Sequence, residues 1–377
     1  MAMTRAGEFV EPVDVSHVVL SGDGSSAAYP RLEVLADGRL AAGFAENVNP
    51  DYFAGGDWVV KTSADHGRTW ELCDDDTVPF AWPASSTRER HDRATRVLPD
   101  GTWWAAGVVG WQLWPEEQRE RAVAEHRFVT PTTPAPGHIG VGTNTMFIQR
   151  SWDRGLTWTR REIDLPPAGW TLGLPRDVTL ADGTVLLPLR QRSWDGGHGR
   201  FLAARITPGQ PDLVRIFPVP RDIDGLTGSE AAVAHVGDDR VVMLMRADST
   251  RGGDGRLLSS WSDDGGRTWT FPVVTEVWGR PPHLLVLADG RLLATYGHQR
   301  APFGVMAVVS EDGGETWSTE QTVLVAELGS DRAGSTRRVA GYHPMTVELT
   351  DGALFTCYYV LGGPHGKACG VRWRLPW

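Results

Sequence analysis

The chain has 377 residues, with 37 basic and 47 acidic side chains and a net charge of −10. That balance excludes nucleic acid or an anionic membrane surface as the main partner, and no run nears the roughly 20 apolar residues of a membrane span. The three cysteines, Cys73, Cys357 and Cys369, have no metal-type spacing, and an odd count excludes full pairing. They read as free thiols. The opening MAMTRAGEFVEPVDV has no apolar core of a signal peptide. The expectation is a cytoplasmic protein, or a secreted one whose signal has been trimmed.

Two repeats dominate the chain. A hairpin signal, apolar residues around Asp-Gly or Asp-Asp, recurs at Asp37, Asp100, Asp182, Asp238, Asp289 and Asp351. The spacing leaves room for one four-stranded sheet per interval. An eight-residue phrase, Ser-x-Asp-x-Gly-x-Thr-Trp, follows four of the hairpins, at Ser63–Trp70, Ser151–Trp158, Ser262–Trp269 and Ser310–Trp317. Its Ser and Asp can close a turn on backbone N–H groups, its Gly allows a positive φ, and its Trp is an apolar plug. Unit three carries Ile206–Phe217 in its place, read as a decayed copy.

Six such units predict an all-β chain, a six-bladed β-propeller of four-stranded antiparallel blades, in one domain spanning 1–377. Val10–Leu20 is expected to give the last blade its outer strand and so remove an open edge. Of 17 tryptophans, the four in the phrase are expected to pack between blades.

The first strand of each blade in a propeller lines the channel, so functional residues are expected just ahead of each hairpin. In chain order these stretches hold Tyr29-Pro30-Arg31, then His91-Asp92-Arg93 with Arg96, then Pro175-Arg176-Asp177. Ser229-Glu230, Arg280-Pro281-Pro282-His283 and Gly341-Tyr342-His343-Pro344 follow. Five of the six carry Arg or His in an acidic protein. A ring of cations suits an anionic ligand, because Arg forks a carboxylate with two parallel bonds. The alternative for any one Arg is a tie between blades, and for His91, His283 or His343 a structural hydrogen bond.

These residues resemble a known family. The eight-residue phrase is the Asp-box, or BNR repeat, and six blades carrying it look like the sialidase superfamily. The resemblance runs from Tyr29 to Tyr359. It implies an arginine triad on a substrate carboxylate, a tyrosine nucleophile assisted by glutamate, and an aspartate acid/base. The tyrosine nucleophile is the known sialidase exception among glycosidases. By that resemblance Tyr342 falls at the nucleophile, Glu230 at its partner, and Arg246 and Arg300 at triad positions. Asp51 and Asp57 compete for the acid/base. Arg31, Arg93, Arg176, Arg280 and His91 complete the expected substrate-binding set, with His283 and His343 as further proton-transfer candidates. The sequence departs from the family where aligning at Pro30 puts Ala28 in place of the first arginine. His343-Pro344 and Gly279–Leu285 also depart, which suits a divergent branch acting on another acidic sugar.

The expected activity is an exo-acting glycoside hydrolase that removes a terminal anionic sugar and needs no cofactor or metal. Two rivals share the scaffold. One is a polysaccharide lyase in which His343, His283 or Tyr342 takes the C5 proton of a uronate. The other is a glycan-binding propeller without catalysis.

Overall fold

A computed structural model describes residues 9–377, except 24, 48–56, 76–77, 79–93, 130–135, 174–175, 195–198, 210, 221–225, 250–254, 329–340 and 361–365. For residues 94–95, 226–229 and 248–249 it describes the backbone alone. The fold is a six-bladed β-propeller of antiparallel sheets. Blade one is Ala27–Val34, Leu40–Glu46, Asp57–Ser63 and Glu71–Leu72; blade two is Ala94–Val97, Trp103–Val108, Thr145–Ser151 and Thr159–Asp164. Blade three begins with a strand broken into Trp170–Gly173 and Val178–Thr179, followed by Val185–Arg192, Gly199–Thr207 and Leu213–Pro218. Blade four is Leu226–Gly237, Arg240–Ser249, Arg256–Ser262 and Val273–Trp278, and blade five is Pro282–Val286, Leu292–His298, Gly304–Ser310 and Val323–Glu327. Blade six takes Gly341–Glu348, Leu354–Val360 and Lys367–Arg374 from the C-terminal end, and Val13–Val19 pairs with its last strand as expected. The chain forms two compact units, Met1–Arg88 with Gly255–Leu257 and Val274–Trp377, and Glu89–Asp254 with Leu258–Val273.

Middle strands carry the cores. Every residue of Trp103–Val108, Leu292–His298 and Gly304–Ser310 is buried. Strands buried along their whole length read as continuous apolar runs rather than alternating ones. The outer strand Thr159–Asp164 has one solvated face and is largely exposed. In the first unit, Phe44, Phe355, Leu32 and Leu40 join blades one and six; in the second, Leu186, Phe201, Met243 and Trp269 join blades three and four.

The two repeats close the turns as their chemistry requires. In the hairpins Asp37 Oδ1 accepts from Arg39 N at 3.0 Å, and Asp100, Asp182, Asp289 and Asp351 do the same for the residue two places on. The glycine between them has φ of 74–89°. The fourth hairpin, with Asp239 in place of that glycine, shifts the left-handed residues to Gly237 and Asp238.

The Ser, Asp and Thr bonds of the eight-residue turn recur in all four copies, and in the first three the Trp Nε1 also donates to the glycine carbonyl. In Ser262–Trp269, Asp264 Oδ1 accepts from Ser262 Oγ at 2.8 Å and from Thr268 N at 2.8 Å, while Thr268 Oγ1 donates to Oδ2 at 2.7 Å. Gly266 N donates to Ser262 Oγ, and Trp269 Nε1 donates to Gly266 O. Trp70 packs at a tilt on Phe355 of blade six with centroids 5.2 Å apart, and Trp269 lies in the core shared by blades three and four. These two tryptophans pack between blades. In Ile206–Phe217, Asp212 takes over: Gly209 N, Arg150 Nη2 and Trp104 Nε1 all donate to its Oδ1.

Burial works against ionisation of Asp264, yet hydrogen bonds from Thr268, Ser262 and Arg267 outweigh it and hold the carboxyl at about 2. Asp65 and Asp153 are also held at about 2. A folded value below the unfolded value of about 3.9 means the unfolded chain binds more protons, so this stability is present above pH 4–5 and fades as pH falls toward 2. Asp264→Ala is expected to lower stability by about 1–2 kcal/mol at pH 7, as loss of a cap does. Urea midpoints taken from pH 6 down to pH 3 are expected to converge for wild type and variant; a constant gap would assign the effect to packing.

Candidate active site

The stretches ahead of the hairpins are β-bulges in blades one, four and six. Ala28 pairs with Ala45 and Arg31 with Gly43, so Tyr29 and Pro30 oppose one residue. In blade six Tyr342 pairs with Tyr359 and Met345 with Cys357, so His343 and Pro344 oppose one. In blade four Gly228 pairs with Ala247 and Ala231 with Met245, so Ser229 and Glu230 oppose Arg246. A bulge breaks the ladder and re-aims side chains. Proline fits there because no ladder partner needs its missing N–H.

Backbone strain marks two of the three. Tyr29 has φ of 56° and His343 has φ of 47°. Neither is glycine, and each precedes a proline, which narrows its choices further. Strain of about 1–3 kcal/mol per such residue persists only where the surroundings hold it.

In the first unit the bulges meet. The Tyr29 ring lies edge-on to His343 at 5.4 Å and tilted to Tyr359 at 5.5 Å. Tyr342 and His343 both stack on Tyr359, at 5.5 and 5.7 Å. Tyr359 is buried, while Tyr29, Tyr342 and His343 are half-buried. Arg31 follows in the same strand and is 6% exposed.

Blade five adds its own lead-in. Arg280 Nε donates to Gln299 Oε1 at 3.1 Å, and Arg280 N donates to Gly297 O. His283 Nδ1 accepts a long 3.4 Å hydrogen bond from Thr346 N of blade six. A neutral imidazole accepting at Nδ1 carries its proton on Nε2 and presents a donor there. Arg300 turns onto Trp278, 4.3 Å over the ring, and its Nε donates to His298 Nε2 at 3.3 Å. Burial pushes the His298 pKa down, so this histidine is neutral, with Nδ1 facing Pro302 O at 2.7 Å. Asp57 is exposed at the start of its strand, and Asn47 Nδ2 donates to its Oδ2 at 3.4 Å.

The second unit holds the other candidates. Glu230 Oε2 and Arg246 Nη1 form an ion pair at 2.7 Å across the blade-four bulge. The predicted carboxylate partner of the tyrosine and a predicted substrate arginine are therefore engaged with each other. Arg176 is 6% exposed, and its carbonyl accepts from Val233 N of blade four. Arg96 is paired with Asp177 and Thr179, a tie between blades two and three. Asp51, His91 and Arg93 lie outside the described residues. Among the described residues no group of three or more metal-ligating side chains comes together.

Three features of this region were not read from the sequence. Tyr359 is the stacking centre of the cluster, and only its place at the end of an apolar strand could have marked it. Gln299 orients Arg280. Blade two carries an insertion between its second and third strands, a ribbon of Trp111–Pro115 and His138–Gly142 with a short helix, Arg119–Ala124. The unusually long interval of 82 residues between Asp100 and Asp182 was its signal.

No curated protein sequence matches the chain. Among solved structures, a protein of unknown function from Dyadobacter fermentans is similar over 96% of this chain and 100% of its own, with 21% identity and a TM-score of 0.66. A variant of NanB sialidase from Streptococcus pneumoniae is similar over 94% of this chain and 70% of its own, at 13% identity and a TM-score of 0.58. An α-L-arabinofuranosidase from Fusarium graminearum, solved with an iminosugar inhibitor, is similar over 93% of each chain at 12% identity and 0.59. At such identities the likeness is one of fold. The BNR repeat-like domain matches residues 128–330, more than half of the sequence, and the chain belongs to that family.

Proposed function

We propose that the chain is a glycoside hydrolase that removes a terminal acidic sugar from a glycan, with Tyr342 as nucleophile. The supporting observation is the strained bulge of blade six, which holds Tyr342 and His343 against Tyr29 and Tyr359. Strain of this kind concentrates at functional sites. Half-buried aromatic faces also suit the C–H faces of a sugar ring.

In this reading the Tyr342 oxygen attacks the anomeric carbon while its proton passes to the Glu230 carboxylate. A neutral phenol approaches a carbon beside a carboxylate with less repulsion than a second carboxylate would. Asp51 or Asp57 protonates the departing glycosidic oxygen, then draws a proton from the water that cleaves the aryl glycosyl bond, while Glu230 returns its proton to the Tyr342 oxygen. Arg31, Arg246, Arg280 and Arg300 are the proposed carboxylate contacts, with Arg93, Arg176 and His91 in the wider substrate-binding set. His283 and His343 are the further candidates for proton transfer.

The test is a set of aryl glycosides of sialic acid, glucuronic acid and arabinofuranose, read by aglycone release, beside uronic-acid polysaccharides read by near-ultraviolet absorbance. The proposal expects release from an acidic glycoside with no unsaturated product. An absorbing product without hydrolysis would replace it with elimination, and binding without any product would leave a non-catalytic propeller.

A further inference from the structure

The blade-two insertion builds a second feature within the second unit. The short helix ends at Ala124, and His126, with φ of 53°, turns its ring edge-on to Trp194 at 5.6 Å. Trp194 follows the second strand of blade three and is 48% exposed. Both line a groove of about 790 Å³. That volume falls within the roughly 300–1,000 Å³ of small-molecule sites.

Its floor is polar and held in place. Gln191 is 1% exposed; its Nε2 donates to Pro166 O at 2.7 Å and to Thr171 Oγ1 at 3.1 Å. Its Oε1 accepts from Arg200 Nε at 2.8 Å. Asn144 donates to Ala168 O and accepts from Thr171 Oγ1 at 2.7 Å. Arg127 stands half-exposed at the rim, 3.8 Å from Glu125. One wall is thus an exposed indole braced by a strained histidine, and the floor is a fixed set of planar amide and guanidinium groups.

That combination matches one ligand chemistry. An apolar ligand would not want this floor, and a compact anion would not need the indole. A sugar ring has both an apolar C–H face and a rim of hydroxyls that donate and accept. We infer that the groove between the blade-two insertion and Trp194 is an accessory glycan subsite, so that the protein engages an oligosaccharide rather than a lone terminal sugar. The inference rests on the glycan reading above for its ligand class alone and stands apart from any catalytic role of Tyr342.

The experiment is a titration of the full chain with tetrasaccharides, neutral (arabinan, xylan and glucan fragments) and acidic (oligogalacturonide), followed by tryptophan fluorescence and calorimetry. Saturable binding by at least one probe is expected in the wild type. The Trp194→Ala variant is expected to weaken it at least tenfold and Trp194→Phe about threefold or less, while Tyr342→Phe retains it. Circular dichroism and an unchanged melting temperature confirm that the exposed Trp194 variants fold. Absence of binding by all probes, or equal affinity in Trp194→Ala, overturns the inference. Binding that depends on Trp194 in a protein without turnover sustains it and defeats the hydrolase proposal instead.

Discussion

Tyr342→Phe is expected to lower kcat on an activated acidic glycoside by about 10³-fold or more, the order seen when a catalytic nucleophile is removed. The change deletes one oxygen from a half-buried ring. Stacking of Tyr342 on Tyr359 at 5.5 Å involves the ring faces, which phenylalanine keeps. The melting temperature is therefore expected to stay within about 2 °C of wild type, consistent with a cost under about 1 kcal/mol. Substrate binding should change little, because the lost oxygen acts on the reacting carbon. A fall in kcat with KM nearly constant separates a nucleophile from a binding tyrosine, whose loss raises KM instead. Glu230→Gln is expected to lower kcat by about 10²–10³-fold, because an amide cannot take the phenol proton. It also removes the charge that Arg246 faces at 2.7 Å, so some of its effect will appear as lower stability.

The second large effect is on the fold beneath that site. Gly297 lies in blade five under the lead-ins of blades five and six. A Cβ added there would sit 2.2 Å from Gly341 O and 2.7 Å from Arg280 O. Both contacts are backbone, so neither can swing aside. Gly297→Ala is expected to cost about 3 kcal/mol or more, at the upper end of overpacking. In a chain of this length that is a fall of roughly 4 °C in Tm. Gly38→Ala is the control. Its φ is 86°, but no atom lies within 4 Å of the added Cβ. It carries only the left-handed penalty of about 1–2 kcal/mol. If both variants melt together, the close approach of Gly297 to Gly341 does not constrain the structure. Gly297→Ala is also expected to reduce activity in the protein that remains folded, because Gly341 adjoins Tyr342 and Arg280 anchors on Gly297 O.

The repeats made the fold legible because turn chemistry is local. Asp37 and Gly38, or Ser262 through Trp269, carry within eight residues everything that closes the turn. Even the decayed copy was recognisable, although the substitution of Asp212 as acceptor was not. The closing strand Val13–Val19 was legible because the sixth unit lacked a fourth strand. Individual roles in the site were harder to read, since they depend on register. The sequence brought Tyr29, Glu230 and Tyr342 to the lead-ins but could not show that each adjoins or occupies a bulge. Nor could it show that Arg246 faces Glu230, or that Tyr359, 17 residues from Tyr342, is the ring on which Tyr342 rests. Composition made Arg96 look like the other cations, whereas Asp177 and Thr179 engage it as a tie between blades. The groove at Trp194 was invisible because it is assembled from an insertion and a blade edge distant in sequence.

The proposal that Tyr342 forms a covalent bond to the sugar is open to direct measurement. The protein would be incubated with fluorinated acidic glycosyl fluorides, which slow breakdown of the intermediate, then digested and analysed by mass spectrometry. The expected result is a glycosyl adduct on the peptide containing Tyr342, absent in Tyr342→Phe. An adduct on an aspartate or glutamate, or steady hydrolysis of acidic glycosides by Tyr342→Phe at the wild-type rate, would contradict it.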